Sequence, residues 1–135
     1  MKLKRIDHPK YKYEFIENLT IRLNSLKNCE SYIGISDLET NEPLLNLNKD
    51  ILTIYSGYRF DGCSASPDFD RAIYGCAIHD ALIQILEHHP NAFDMQDAHN
   101  AMLEIHCKSK FKLKWIYYLV VSSWLGNLYH ILKRI

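Results

Sequence analysis

The four cysteines, Cys29, Cys63, Cys76 and Cys107, include no Cys-x-x-Cys pair, which excludes a zinc ribbon and a thioredoxin-like redox motif. Their spacing reads as four reduced, small apolar side chains. Net charge is also missing: 16 basic and 16 acidic residues cancel, so no whole-molecule field draws nucleic acid or an anionic membrane. The chain lacks internal repeats, low-complexity stretches and an apolar leader. Its start carries Lys2, Lys4 and Arg5, and the expectation is a cytoplasmic product without a cleaved signal. No Gly-x-Ser-x-Gly elbow marks a serine nucleophile.

With 135 residues, 47% of them hydrophobic and 24% charged, the chain reads as a single domain over 1–135 with one core. Nine tyrosines suit a small domain, because the ring packs while the hydroxyl reaches water or a partner. Charge is unevenly placed. Lys108, Lys110, Lys112 and Lys114 alternate near the last helix, and acidic residues gather between Asp61 and Asp97. The lysine run reads as a solvated approach to that helix.

Tyr11, Tyr13 and Phe15 alternate with charged neighbours, as do Leu19, Ile21 and Leu23 with Thr20 and Arg22. A period of two predicts strands, and the short break at Glu17-Asn18 suggests that the two form a hairpin. Ser31 to Ser36, Leu44 to Leu47 and Ile51 to Tyr55 add short β-type runs, separated by the loop from Asp37 to Pro43 and by Asn48-Lys49-Asp50. From Asp68 the period becomes helical. Asp68 is placed to cap a helix running to about Glu87, with Ile73, Ala77, Ala81 or Leu82, and Ile85 on its apolar stripe. Asp94 caps a second helix with Met95, Ala98, Met102 and Ile105 on one face, and Asp97 in its first turn has an electrostatic reason to be there. Trp115 to Leu132 approaches the length of a bilayer span. Ser122, Ser123, Gly126, Asn127 and His130 interrupt it, so it reads as a buried helix closing the core, with membrane insertion the alternative. The expected class is α+β: short N-terminal antiparallel strands, then three helices.

Side chains able to do chemistry concentrate in Gly57-Tyr-Arg-Phe-Asp61-Gly62-Cys63-Ser64-Ala-Ser66-Pro67-Asp68 and, one helical run later, in His79-Asp80. Asp61 from the turn, His79 and Asp80 from the first helix and Asp97 from the second make a candidate oxygen-rich site for a divalent ion such as Ca, Mg or Zn. The same set admits a histidine base held by a carboxylate. His79 and Asp80 lie about 100° apart around a helix, so they can flank a site without facing each other. Ser64 is a candidate nucleophile, though a turn serine more often bonds to nearby backbone. Acidic surroundings should raise the thiol pKa values of Cys63 and Cys76 and so work against reactivity. His88-His89 suit a helix C-terminus, and His99 and His106 read as surface or boundary residues.

The turn from Gly57 to Pro67, the doublet His79-Asp80 with Leu82, and Asp97, Tyr117-Tyr118 and Gly126 beyond it resemble the phage- and prophage-encoded domain-of-unknown-function family 1353, over about residues 44–126. The resemblance makes Asp61, Gly62, Ser64, His79, Asp80 and Asp97 signature residues and implies no reaction. Cys63 stands where that family usually has alanine, an extra residue precedes Pro67, and Ile83 replaces a frequent tyrosine. Cys76-Ala-Ile-His79-Asp80 is also similar to the active helix of secreted phospholipase A2, which implies His79 activating a water, Asp80 binding calcium and Asp97 orienting the histidine. The cysteine framework and glycine-rich loop of that family are missing. HD phosphohydrolases share the doublet but need an upstream histidine in a helix bundle, and His8 precedes a run of strands. The functional expectation is a small phage-type protein with a hydrolase-like His/Asp site acting on a cell-envelope ester or amide. Its alternative is a non-enzymatic virion or host-interaction protein in which His79, Asp80 and their neighbours form a structural polar network.

Overall fold

Among the described residues seven short strands precede three helices: β1 Leu3–Arg5, β2 Tyr13–Phe15, β3 Leu19–Arg22, β4 Tyr32–Ser36, β5 Pro43–Asn48, β6 Ile51–Ile54, β7 Arg59–Phe60, then α1 Asp70–His88, α2 Met95–Lys108 and α3 Lys114–Ser122. The chain is described here by a computed structural model over residues 2–63 and 66–123. The expected α+β class is what the chain adopts.

The strands form two antiparallel sheets, one of order β1-β2-β7 and one of order β3-β6-β5-β4. Alternation is strictest in β5 and β6, where Leu45, Leu47, Leu52 and Ile54 are fully buried and Asn46 and Asn48 are exposed. Their hairpin turns at Lys49, which adopts a positive φ of 57°. The β4–β5 loop is tied by Asp37, whose carboxylate accepts the backbone N–H groups of Glu39 and Thr40 at 2.8 and 3.0 Å.

The expected hairpin between Tyr11–Phe15 and Leu19–Leu23 does not form. β2 pairs with β1 and β7, whereas β3 pairs with β6. The physical reason is that Phe15 bonds in both directions to the segment before β7: its N–H donates to Tyr58 O at 2.9 Å, and its carbonyl accepts from Gly57 N at 2.8 Å. The chain therefore changes sheet between Phe15 and Leu19. Those bonds also pin the start of the candidate turn to β2, with Phe15, Tyr58 and Phe60 packed as one aromatic group.

α1 is the centre of the molecule. Its buried residues include Ala72, Gly75, Ala77, Ile78, Ala81, Leu82 and Ile83, which go well beyond the single expected stripe and surround the axis. A helix enclosed on nearly all sides shows little amphipathic periodicity, and its small residues let neighbouring elements approach closely. The expected capping of α1 by Asp68 is also corrected: Phe69 occupies the N-cap position without a side-chain bond. α2 begins as expected, with a reciprocal capping box between Asp94 and Asp97. Farther along α2, Glu104 secures the 3-10 turn Asn24–Leu26 by accepting the N–H groups of Asn24 and Ser25 and the Ser25 hydroxyl at 2.8 to 3.0 Å. Burial acts to raise its carboxyl pKa, but these donors outweigh burial and leave it below the ordinary value. Among the described residues no helix is long and apolar enough to cross a membrane. The part of the Trp115–Leu132 segment beyond Ser123 lies outside the described residues.

Candidate functional site

The candidate turn is closed by two fasteners. The first is covalent: Cys63 and Cys76 form a disulfide with a Cα–Cα distance of 5.1 Å. The expectation that all four cysteines are reduced is therefore wrong for this pair. It places the turn directly on α1, one helical turn before His79, while Cys29 and Cys107 remain free thiols. The second fastener is Asp68. Its Oδ1 accepts the Cys63 N–H at 2.7 Å, its Oδ2 accepts the Tyr13 hydroxyl at 3.3 Å, and Lys12 Nζ lies 3.6 Å away. Asp68 thus joins the turn to β2. Burial first, and then the adjacent Asp68 charge and hydrogen bond, raise the Tyr13 pKa.

Gly62 is required for this arrangement. Its φ is +83°, and a Cβ built there would lie 2.5 to 2.7 Å from the Asp68 carboxylate. The Tyr117 hydroxyl from α3 donates to Pro67 O, so the last described helix also holds the turn. Ser64, the nucleophile candidate, lies outside the described residues.

Cross-linking across a sequence separation of 13 should stabilise the fold by about 3 kcal/mol through the unfolded chain. Reduction, or Cys76→Ser with Cys63→Ser, is expected to lower the urea midpoint accordingly. An unchanged midpoint after complete reduction would contradict a closed bridge.

His79 and Asp80 diverge around α1, as their spacing requires. The charges of Asp80 and Asp61 both act on Tyr58, a buried tyrosine that donates to Gln84 Oε1 at 3.0 Å. Burial comes first, followed by the charges of Asp80, Tyr11, Glu87 and Asp61, in holding the Tyr58 pKa well above the ordinary value. The motif reading did not single out Tyr58, on which both carboxylates act.

His79 faces α2, and there the expected partner is replaced. His79 Nε2 lies 2.9 Å from His99 Nδ1, with ring centroids 5.1 Å apart and planes inclined by 24°. Each imidazole is only 2% exposed. One nitrogen of this contact carries the proton and the other supplies the lone pair, so at least one ring is neutral. Burial lowers the His99 pKa.

Asp97 is not brought to this pair. It precedes His99 by two positions, roughly 200° around the helix, and its Oδ2 accepts the Asp94 N–H at 3.2 Å in the capping box. Its structural explanation accounts for the contact it makes. The expected surface positions of His99 and His106 are corrected as well. His106 is fully buried, its Nε2–H donates to Ala72 O at 2.8 Å, and its Nδ1 has no hydrogen-bond partner. Burial lowers its pKa, partly offset by that bond. The ring lies against Gly75, where a Cβ would come within 2.4 Å of His106 Cδ2. The positions 99, 102 and 106 share one face of α2 with the apolar stripe, and this spacing was the available signal that both histidines turn inward.

Between these groups lies a cavity of about 10 Å³, lined by residues that include Ser66, His79, Asp80 and Tyr117 beside the disulfide. That is about the space one water needs. Among the described residues no three His, Cys, Asp or Glu side chains come together as a metal-binding group. Asp97, the third carboxylate of the expected metal set, is engaged in the α2 capping box.

No family model, curated protein or solved structure matches this chain.

Proposed function

We propose that the chain works by binding, as a non-enzymatic virion or host-interaction protein whose histidine cluster is a structural polar network. The observation that supports this reading is the His79–His99 pair: both rings are 2% exposed and directly hydrogen-bonded to each other. A catalytic imidazole needs a reacting atom within hydrogen-bond reach, directly or through one water. Here the imidazole nitrogen facing α2 is engaged by a second histidine. The Cys63–Cys76 bridge and Asp68 hold the turn on α1 and β2, and the pair ties α1 to α2. A disulfide suits an oxidising setting such as an extracellular particle, and the phage setting itself follows from the motif resemblance.

The small cavity bordered by Ser66, His79 and Asp80 favours a second reading, a hydrolase in which His79 activates one held water. The two readings separate in one comparison. Purified wild-type protein and His79→Gln are assayed on ester and amide substrates, with and without added Ca, Mg or Zn, alongside thermal melts. The binding reading predicts no turnover that depends on His79 and a clearly lower melting temperature for the variant. Turnover abolished by His79→Gln with the fold retained would replace it with the hydrolase.

A further inference from the structure

The end of the molecule formed by α3 and the segment leading into it carries more apolar surface than the core uses. Tyr117 and Val121 face inward, while Trp115, Ile116 and Leu119 are 57, 56 and 64% exposed. The spacings 115 to 119 and 116 to 119 put these three on one outward face. Phe69 and Leu113 are exposed beside them, so among the described residues five of the eight exposed large hydrophobic side chains gather at this end. A groove of about 450 Å³ runs along the same end, with Phe69, Phe111 and Leu113 in its wall.

The charge around this patch has one dominant sign. Among the described residues after Glu104 there are four basic residues, Lys108, Lys110, Lys112 and Lys114, and no acidic one, although the whole chain is neutral. Lys110 and Lys112 are exposed, Lys114 is half-buried at the start of α3, and Arg71 lines the groove from α1. Asp70 is the acidic residue in that wall. Lys108 is engaged with Glu104 at 3.5 Å.

We infer that this end docks on an anionic lipid surface, with the lysines on phosphate headgroups and Trp115, Ile116 and Leu119 in the interfacial layer. Basic side chains around an exposed tryptophan and aliphatic residues match the chemistry of a peripheral membrane contact. Nucleic acid would use the lysines but would leave Ile116 and Leu119 without a role, since base stacking needs planar side chains. A second copy of the chain would bring lysines against lysines. The proposed attachment is interfacial, and among the described residues no helix is long and apolar enough to cross a membrane.

The test is co-sedimentation of the full chain with vesicles of phosphatidylcholine alone or mixed with phosphatidylserine, with circular dichroism confirming the fold of each variant. Binding should require phosphatidylserine and weaken with salt. Each of Lys110→Ala, Lys112→Ala and Lys114→Ala should reduce it about fivefold, and the triple variant about a hundredfold. Trp115→Ala with Leu119→Ser, which leaves charge unchanged, should weaken it as well. Equal binding to neutral vesicles, no binding, insensitivity to the lysines, preferential binding of duplex DNA, or a dimer that protects Trp115 would each overturn the inference.

Discussion

Gly62→Ala should lower the stability of the fold by about 3 kcal/mol in urea denaturation, as the sum of a left-handed backbone cost of ~1–2 kcal/mol and a charge-assisted hydrogen bond worth ~1.5–3 kcal/mol. The backbone part follows from φ at +83°. The second part arises because the new methyl would overlap the Asp68 carboxylate at 2.5 to 2.7 Å, displacing it from the Cys63 N–H, the Tyr13 hydroxyl and Lys12. Gly57 supplies the internal comparison: its φ is +100°, but a Cβ there meets nothing within 4 Å. Gly57→Ala should therefore show the backbone cost alone, about half the effect. Equal losses at the two glycines would remove Asp68 from its place as the fastener between the turn and β2.

The second large effect is expected at the histidine pair. His99→Leu leaves a buried His79 nitrogen without the partner it has at 2.9 Å, an exchange that costs ~1–3 kcal/mol. Replacing both rings by leucine should cost less than the two single changes added together, because no buried imidazole is then left deprived of that bond. The two buried histidines of α2 also set a pH dependence. Burial lowers the His99 and His106 pKa values, so as pH falls the unfolded chain takes up protons before the folded one. Their contribution to stability is complete above the ordinary histidine value of about 6.5 and declines below it, down to the lower folded pKa values. The slope approaches ~1.4 kcal/mol per pH unit for each histidine in that window. His99→Leu should flatten it, as read from urea midpoints across the acid range.

Local periodicity carried the element types: β5 and β6, α1 and α2, and the Asp94 cap lie where alternation and capping residues place them. Sheet membership was not legible. The choice of β1 and β7 as partners of β2 depends on bonds between Phe15 and a segment some forty residues away, and a two-residue strand such as β7 has no period to read. The Cys63–Cys76 bridge was hidden for a related reason: spacing does not reveal connectivity, and the bridge forms because the turn folds back onto the first turns of α1.

The site was legible as a location and misread in its partners. Gly57 to Asp68 and His79-Asp80 do meet, with Asp61 and Asp80 both acting on Tyr58. Which side chain meets His79 depends on how α2 packs across α1. His99 lies on the packed face, whereas Asp97, two residues earlier, serves the helix start. A carboxylate near a doublet is a familiar chemical pattern, and a histidine on an apolar stripe is easily passed over.

The sealed His79–His99 contact is tested most directly by long-range ¹H–¹⁵N NMR of the histidine rings through an acid titration. The account predicts a fixed proton arrangement in the contact near neutral pH, one of its ring nitrogens protonated and the other not, with His99 titrating below the ordinary histidine range. Rapidly averaging tautomers with His99 titrating at the ordinary value would contradict it.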